Sequence, residues 1–334
     1  MKEIRIEEND AGQRLDKFLG KAFPDLKRSM MYKGLRNKKI KVNRKRASHD
    51  QMLNSGDVIL LFLPEDALRQ KNEGFKPSEN QGKMSLSKKS SVKENEKISI
   101  IFEDQDLLIV DKPTGLLSQK DSSKDQNTMA DQIISHLIDN GSYDRSKELS
   151  FVPAAVSRLD RNTAGLCAAG KNARSLRLLN EAIKDHSLKK FYLAEASGIL
   201  KKDRYDLKLY LKKEGTKAHV FKDPEAGALE ANLIIKVLKR KEKENSTLIE
   251  VELLTGRFHQ IRATLAYLDH PLIGDHKYGY QGKENAQHLY AYRIDFSKTP
   301  FKENIMDVQV DLAMISWLSK QDYSAVFDQR NQTD

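Results

Sequence analysis

Residues 66–97 break the chain in two. Lys, Ser, Asn, Glu and Gln dominate there, and almost no apolar periodicity runs through them. Such a stretch buries too little surface to offset the entropy of ordering it, so the sequence predicts a flexible linker. The 334 residues then divide into a small N-terminal domain over 1–65, a larger domain over 98–320 and a polar C-terminal tail over 321–334. Two domains of ordinary size suit this length.

The small domain holds nearly all the excess charge. Between Gly12 and Ser48 stand thirteen Lys and Arg against two Asp, a surplus of eleven in a chain of net charge +10. A positive surface joined to a nearly neutral body favours nucleic acid over an anionic membrane, because each cation on a phosphate backbone releases condensed counterions. Arg28, Lys38, Lys39, Arg44, Lys45 and Arg46 are the candidate contacts, to phosphates rather than to bases. Leu15, Phe18, Leu19, Ala22 and Phe23 recur at helical spacing before Pro24. A second helix is predicted over Arg28–Arg36, a strand over Lys39–Asn43, and a turn at Asn54–Asp57 before a strand from Val58 to Leu63.

Composition excludes several classes. Cys167 is the single cysteine, so there is no intrachain disulfide and no thiolate zinc finger. No apolar run approaches the ~18 residues of a membrane span. The opening Met1-Lys2-Glu3-Ile4-Arg5 lacks the apolar core of a signal peptide. A cytoplasmic protein, away from membranes, is expected.

The large domain reads as α+β. Strands are predicted at Ile98–Phe102, Leu107–Val110, Lys190–Ala196, Leu229–Leu238, Thr247–Leu254 and Leu289–Phe296, with helices at Thr128–Leu137 and Asn172–Lys184. Runs of strands with few helices favour a mostly antiparallel mixed sheet.

Five segments stand out: three carry candidate site residues, and the last two are read as turns that shape loops around the cleft. In Val156-Ser157-Arg158-Leu159-Asp160-Arg161-Asn162-Thr163-Ala164-Gly165-Leu166, a carboxylate precedes the apolar run Leu166–Ala169, at the mouth of a buried strand. Arg158 and Arg161 are its neighbours, and a cationic partner keeps a carboxylate ionised where water is excluded. The second segment is Leu254-Thr255-Gly256-Arg257-Phe258-His259-Gln260-Ile261-Arg262. Arg257 and His259 are predicted to begin a helix whose N-terminus meets a phosphate. The others are Lys190-Phe191-Tyr192-Leu193-Ala194, Val110-Asp111-Lys112-Pro113-Thr114-Gly115-Leu116 and Pro271-Leu272-Ile273-Gly274-Asp275-His276-Lys277-Tyr278-Gly279.

Together these segments, over about residues 98–312, resemble the RluA family of pseudouridine synthases. The resemblance implies an enzyme that isomerises uridine in RNA, with the pseudouridine synthase fold. Asp160 would be the nucleophile and Arg262 its cationic partner. Tyr192 would stack on the uracil and is the family's candidate for removing the C5 proton. Arg158, Arg161, Arg257, His259 and Gln260 would contact RNA. A phenol with a pKa near ~10 is a poor base at neutral pH, so stacking is the stronger role for Tyr192. The N-terminal pattern, from Arg14-Leu15-Asp16 through Lys39–Asn43 to Gly56-Asp57, resembles the S4 RNA-binding domain, a small α/β module. By analogy the substrate is large-subunit ribosomal RNA first and transfer RNA second, bound by a monomer.

Four positions depart from the family pattern. Ser157, Thr264 and Tyr290 stand where His is usual, and Ala164 where Ser is usual. They are the best support for a rival reading, a non-catalytic RNA-binding or ribosome-assembly factor; retained Asp160, Tyr192 and Arg262 oppose it. A glycosidase using Asp160 would need a second carboxylate, and none is evident near these segments. His259, His270, His276 and His288 with Asp275 match no compact ligand spacing, so no metal and no cofactor is expected.

Overall fold

The computed structural model describes residues 1–69, 97–122, 125 and 127–328. Most of the expected linker, residues 70–96, lies outside the described residues. The chain forms two compact units.

The first unit contains the described residues of Met1–Val92 together with Ile133–Ala154 and Gly170–Arg177. Its elements are β1 (Lys2–Arg5), α1 (Leu15–Ala22), α2 (Arg28–Arg36), β2 (Ile40–Val42), β3 (Lys45–Arg46) and β4 (Val58–Leu61). The strands form an antiparallel sheet in the order β1-β4-β2-β3. In α1 the predicted stripe of Leu15, Phe18, Leu19 and Ala22 is buried. α2 buries Met31, Gly34 and Leu35 and turns its basic face outward. Asn43 and Arg44 have φ of 51° and 63°, the pair of left-handed residues that a tight two-residue hairpin needs. That turn leaves Arg44, Lys45 and Arg46 exposed beside exposed Lys38 and Lys39.

Two boundaries differ from the sequence reading. A 3-10 helix at Glu65–Leu68 buries Ala67 and Leu68 in this unit's core, so the expected linker begins too early. Residues 133–154 and 170–177, expected in the large domain, belong here. Ser150 donates from its amide and hydroxyl to Asp10 Oδ1, at 3.0 and 2.6 Å. Asn9 bonds Glu148 and the amide of Ala173. No local pattern marks these pairs, because each joins residues well over a hundred positions apart.

The second unit contains the described residues of Lys93–Gln132, Ala155–Ala169 and Leu178–Asp334. In chain order its strands are β5 (Ser99–Glu103), β6 (Leu107–Lys112), β7 (Ala154–Ala155), β8 (Ala164–Gly170), β9 (Lys189–Ser197), β10 (Arg204–Glu214), β11 (Lys217–Phe221), β12 (Leu229–Lys241), β13 (Ser246–Leu253), β14 (Leu289–Asp295) and β15 (Asp307–Gln309). The helices are α3 (Met129–Asp139), α4 (Ala173–Lys184), α5 (Gln260–Tyr267) and α6 (Tyr323–Asp328), of which α3 and α4 continue into the first unit. The sheet runs β11-β10-β12-β13-β9-β14-β8-β6-β5, with β15 on β14 and β7 on β8. Antiparallel pairing dominates, and β8 runs parallel to β14. This is the expected α+β mixed sheet.

The core lies where the central strands meet α4 and the C-terminal segment, with Leu107, Ile109, Leu166, Phe191, Leu193 and Tyr292 at its centre. Gly165, at φ +125°, packs against β14, where a Cβ would fall 2.3 Å from the Ala291 carbonyl oxygen. Only glycine permits that approach, so the residues before it enter the sheet at one fixed place. The segment expected as a polar tail from 321 forms α6 within its described residues. Asp322 is buried and pairs with Lys239 and Lys241, each at 2.9 Å, and Val326 enters the core. The apolar signal there is one residue per helical turn, too sparse to read from sequence.

Candidate active site

The loop carrying Asp160 enters β8 and is clamped by the turn after β6. Lys112 is fully buried and donates to the carbonyls of Leu116 at 2.8 Å, Pro113 at 2.9 Å and Arg161 at 3.2 Å. Gly115 and Arg161 exchange two further bonds, Gly115 N to Arg161 O at 2.8 Å and Arg161 Nε to Gly115 O at 3.0 Å. Ser118 Oγ donates to the Leu159 carbonyl and accepts from its amide. Asp160 is thus bracketed on both sides by fixed backbone. Burial pushes the Lys112 ammonium down to about 8, while the charges of Asp160 and Asp111 act in the opposite sense.

Arg262, on α5, meets Asp160. Its Nη1 lies 3.1 Å from Asp160 Oδ2. Its Nε and Nη2 make a two-pronged pair with Asp275, at 2.6 and 2.9 Å. Burial opposes the guanidinium charge, but the Asp275 bonds and the Asp160 charge outweigh it and raise its pKa. Neither neighbour in sequence pairs with Asp160: Arg158 is exposed at the cleft and Arg161 is spent on Gly115. The partner comes from 102 positions away because α5 delivers it.

His259 does not begin a helix by lying in it. It is the residue before α5, with left-handed φ of 54°. Its Nε2 lies 3.6 Å from Asp160 Oδ2 and its Nδ1 2.9 Å from the Tyr278 hydroxyl. Burial holds its pKa below the usual range despite the Asp160 charge, so the imidazole is neutral at pH 7. Arg257 also precedes the helix, and its Nε donates to the Glu230 carbonyl. Gln260, expected at RNA, is buried and spends its amide on the protein. Its oxygen accepts from Thr255 and the Arg257 amide, and its nitrogen donates to the Asn232 carbonyl. It shapes the loop before α5.

Tyr192 stands on β9, opposite Val251 on β13 and Ala291 on β14. It is buried, lines the same cleft as Asp160 and Arg262, and its hydroxyl bonds no described residue. Burial raises its pKa, with the Asp160 charge adding to the effect. The phenol therefore stays protonated at neutral pH, which favours a stacking role over a base. The cleft encloses about 690 Å3, room for one nucleotide and part of its neighbours.

Residues 106–267 match the family of RNA pseudouridylate synthases. A protein of Aquifex aeolicus named "uncharacterized RNA pseudouridine synthase" is 30% identical over 290 residues, covering 86% of this chain and 83% of its own. The chain belongs to the RNA pseudouridine synthase family. A "ribosomal large subunit pseudouridine synthase C" of Vibrio parahaemolyticus is 29% identical over 321 residues, 92% of each chain. The solved structure of human RNA pseudouridylate synthase domain containing 1 shares the fold, with a TM-score of 0.50 at 21% identity over 65% of this chain and 84% of that one.

The synthase absorbs its departures from the family pattern in specific ways. Tyr290 donates its hydroxyl to Asp111 at 2.6 Å, within the protein. Ser157 bonds the Cys167 thiol, which burial pushes up to about 12 and keeps neutral. Thr264 is buried, with its hydroxyl bonding no described residue. Sequence reasoning missed three contributors: Lys112, Asp275 and Tyr278. All lie in segments that were read as loop-shaping turns. The polar residues inside Gly-Asp-x-x-Tyr were the available signal. The four histidines disperse: His270 meets the Ser197 carbonyl, His276 the Tyr280 and Glu284 carbonyls, and His288 the Glu195 carboxylate. No described helix is long and apolar enough to cross a membrane.

Proposed function

We propose that this synthase isomerises uridine in large-subunit ribosomal RNA, with Asp160 as the nucleophile. Breaking the N1–C1′ bond leaves its electron pair on the uracil and builds positive charge at C1′. The Asp160 carboxylate meets that charge, covalently or as a close counterion, as carboxylates do in glycosyl transfer. The uracil then turns, C5 bonds to C1′, the C5 proton leaves and N1 takes up a proton, so product and substrate have the same composition. Tyr192 supplies a flat face for the base, worth on the order of 1–3 kcal/mol. Arg158 and Arg257 line the cleft and serve the phosphates.

The observation that carries this reading is the Asp160–Arg262 contact in the cleft, with Arg262 held from behind by Asp275. A carboxylate paired with a guanidinium at the wall of a nucleotide-sized cleft is what the reaction needs. The ribosomal choice is supported by the name of the Vibrio relative and by the basic surface of the first unit. The test maps pseudouridine in total RNA from cells with and without the gene. Loss of a site in large-subunit ribosomal RNA is the expected result. Loss only in transfer RNA redirects the substrate, and no loss anywhere overturns the reading.

A further inference from the structure

A second groove opens beside the catalytic cleft. It encloses about 430 Å3 and is walled by the end of α4, the start of β9 and the loop before α5. Lys190, Leu253, Gly256 and Arg257 line both spaces, so the two are continuous. Gly256 stands at the junction, where a Cβ would make only an ordinary contact with Lys190 Nζ, at 4.0 Å.

The groove is cationic after its ion pairs are counted. Glu252 is taken by Lys189 at 3.4 Å and Glu230 by Lys208 at 3.3 Å. Lys184, Lys190 and Arg257 also line it, and none of them is in an ion pair with a described carboxylate. Burial lowers the Lys190 pKa, a strain that a nearby anion would relieve. A desolvated cation without a carboxylate costs stability unless an anionic ligand completes it.

We propose that this groove holds the phosphodiester backbone of the RNA strand adjoining the target uridine, with Lys184, Lys190 and Arg257 as its phosphate contacts. It rests on the reading that the Asp160 cleft takes the uridine. Its contacts are to charge, so the groove holds the strand without reading its bases.

The test uses the full chain and C5-tritiated total RNA from cells lacking the gene. Lys184→Gln with Lys190→Met removes two charges and keeps the Lys190 stem. Half-saturating RNA in single-turnover tritium release is expected to rise roughly ten-fold. The slope of log affinity against log salt, read by filter binding, is expected to fall by about 1.4, or about 0.7 per lost contact. Lys243→Gln, in the exposed β12–β13 turn, should shift neither. An active wild type matched by the double variant in half-saturation and salt slope overturns the groove. A wild type that binds the RNA but releases no tritium overturns the uridine reading instead. Circular dichroism and chemical denaturation of the double variant separate either result from misfolding.

Discussion

Arg262 gives one donor to Asp160, at 3.1 Å, and two to Asp275, at 2.6 and 2.9 Å. The two carboxylates are not equivalent. Asp275 is fully buried, whereas the Asp160 side chain is 25% exposed, toward the cleft. One guanidinium therefore takes its orientation from a closed pair and presents its remaining edge to the carboxylate that faces substrate. A planar fork can do this; an ammonium cannot.

Asp160→Asn keeps the shape of the side chain and removes its charge. Tritium release at saturating RNA should fall by roughly a thousand-fold or more, with RNA affinity nearly unchanged. Retained turnover would reject Asp160 as the nucleophile.

Asp275→Ala should act on both stability and rate. It leaves a buried guanidinium with only Asp160, and breaking such a pair costs about 3–5 kcal/mol. Urea unfolding reads the loss. Arg262→Lys should slow tritium release at saturating RNA, because a lysine cannot serve both carboxylates in the same plane.

Tyr192 should separate binding from proton transfer. Tyr192→Phe keeps the stacking face and should bind RNA as the wild type does. Tyr192→Ala should bind about 1–3 kcal/mol more weakly. Equal, weak binding by both variants would remove stacking as the explanation.

Activity should decline as pH rises through about 8, where Lys112 loses its proton. A neutral amine has two hydrogens for three carbonyls, so the loop before Arg161 loses part of its clamp. Unfolding would not be the cause. The Lys112 pKa is depressed in the folded protein from 10.5, so between these values the unfolded chain binds more protons. By linkage this group makes the folded state more stable as pH rises. Lys112→Met should be slower overall and lack this alkaline limb.

The exposed cations of the first unit should supply affinity. Replacing Lys38, Lys39 and Arg44 with Gln should flatten the salt dependence of binding by about 2, at roughly 0.7 per phosphate contact. Half-saturating RNA should rise more than the saturated rate falls. Removing the unit whole is not an equivalent test, because residues 133–154 and 170–177 pack within it.

Local chemistry made much of this protein legible. The helical stripe from Leu15 to Ala22, the strand after Thr163 and the strand around Tyr192 were readable because each depends on neighbours two to four positions away. Asp160, Tyr192 and Arg262 were readable as a set because their segments are distinctive. Three matters waited for tertiary structure. How Asp160 and Arg262 meet was one: the resemblance named the pair, but Arg158 and Arg161 are nearer in sequence, and only the placement of α5 brings Arg262 across 102 positions. The role of Asp275 was another, since a carboxylate in a turn acquires meaning only from the guanidinium it holds. The third was which segments make up the first unit, where Asp10 and Ser150 meet across 140 residues. Periodicity and motif spacing act over a few residues. Burial, ion pairing and cleft formation depend on which distant segments the sheet brings side by side, and only the folded chain decides that.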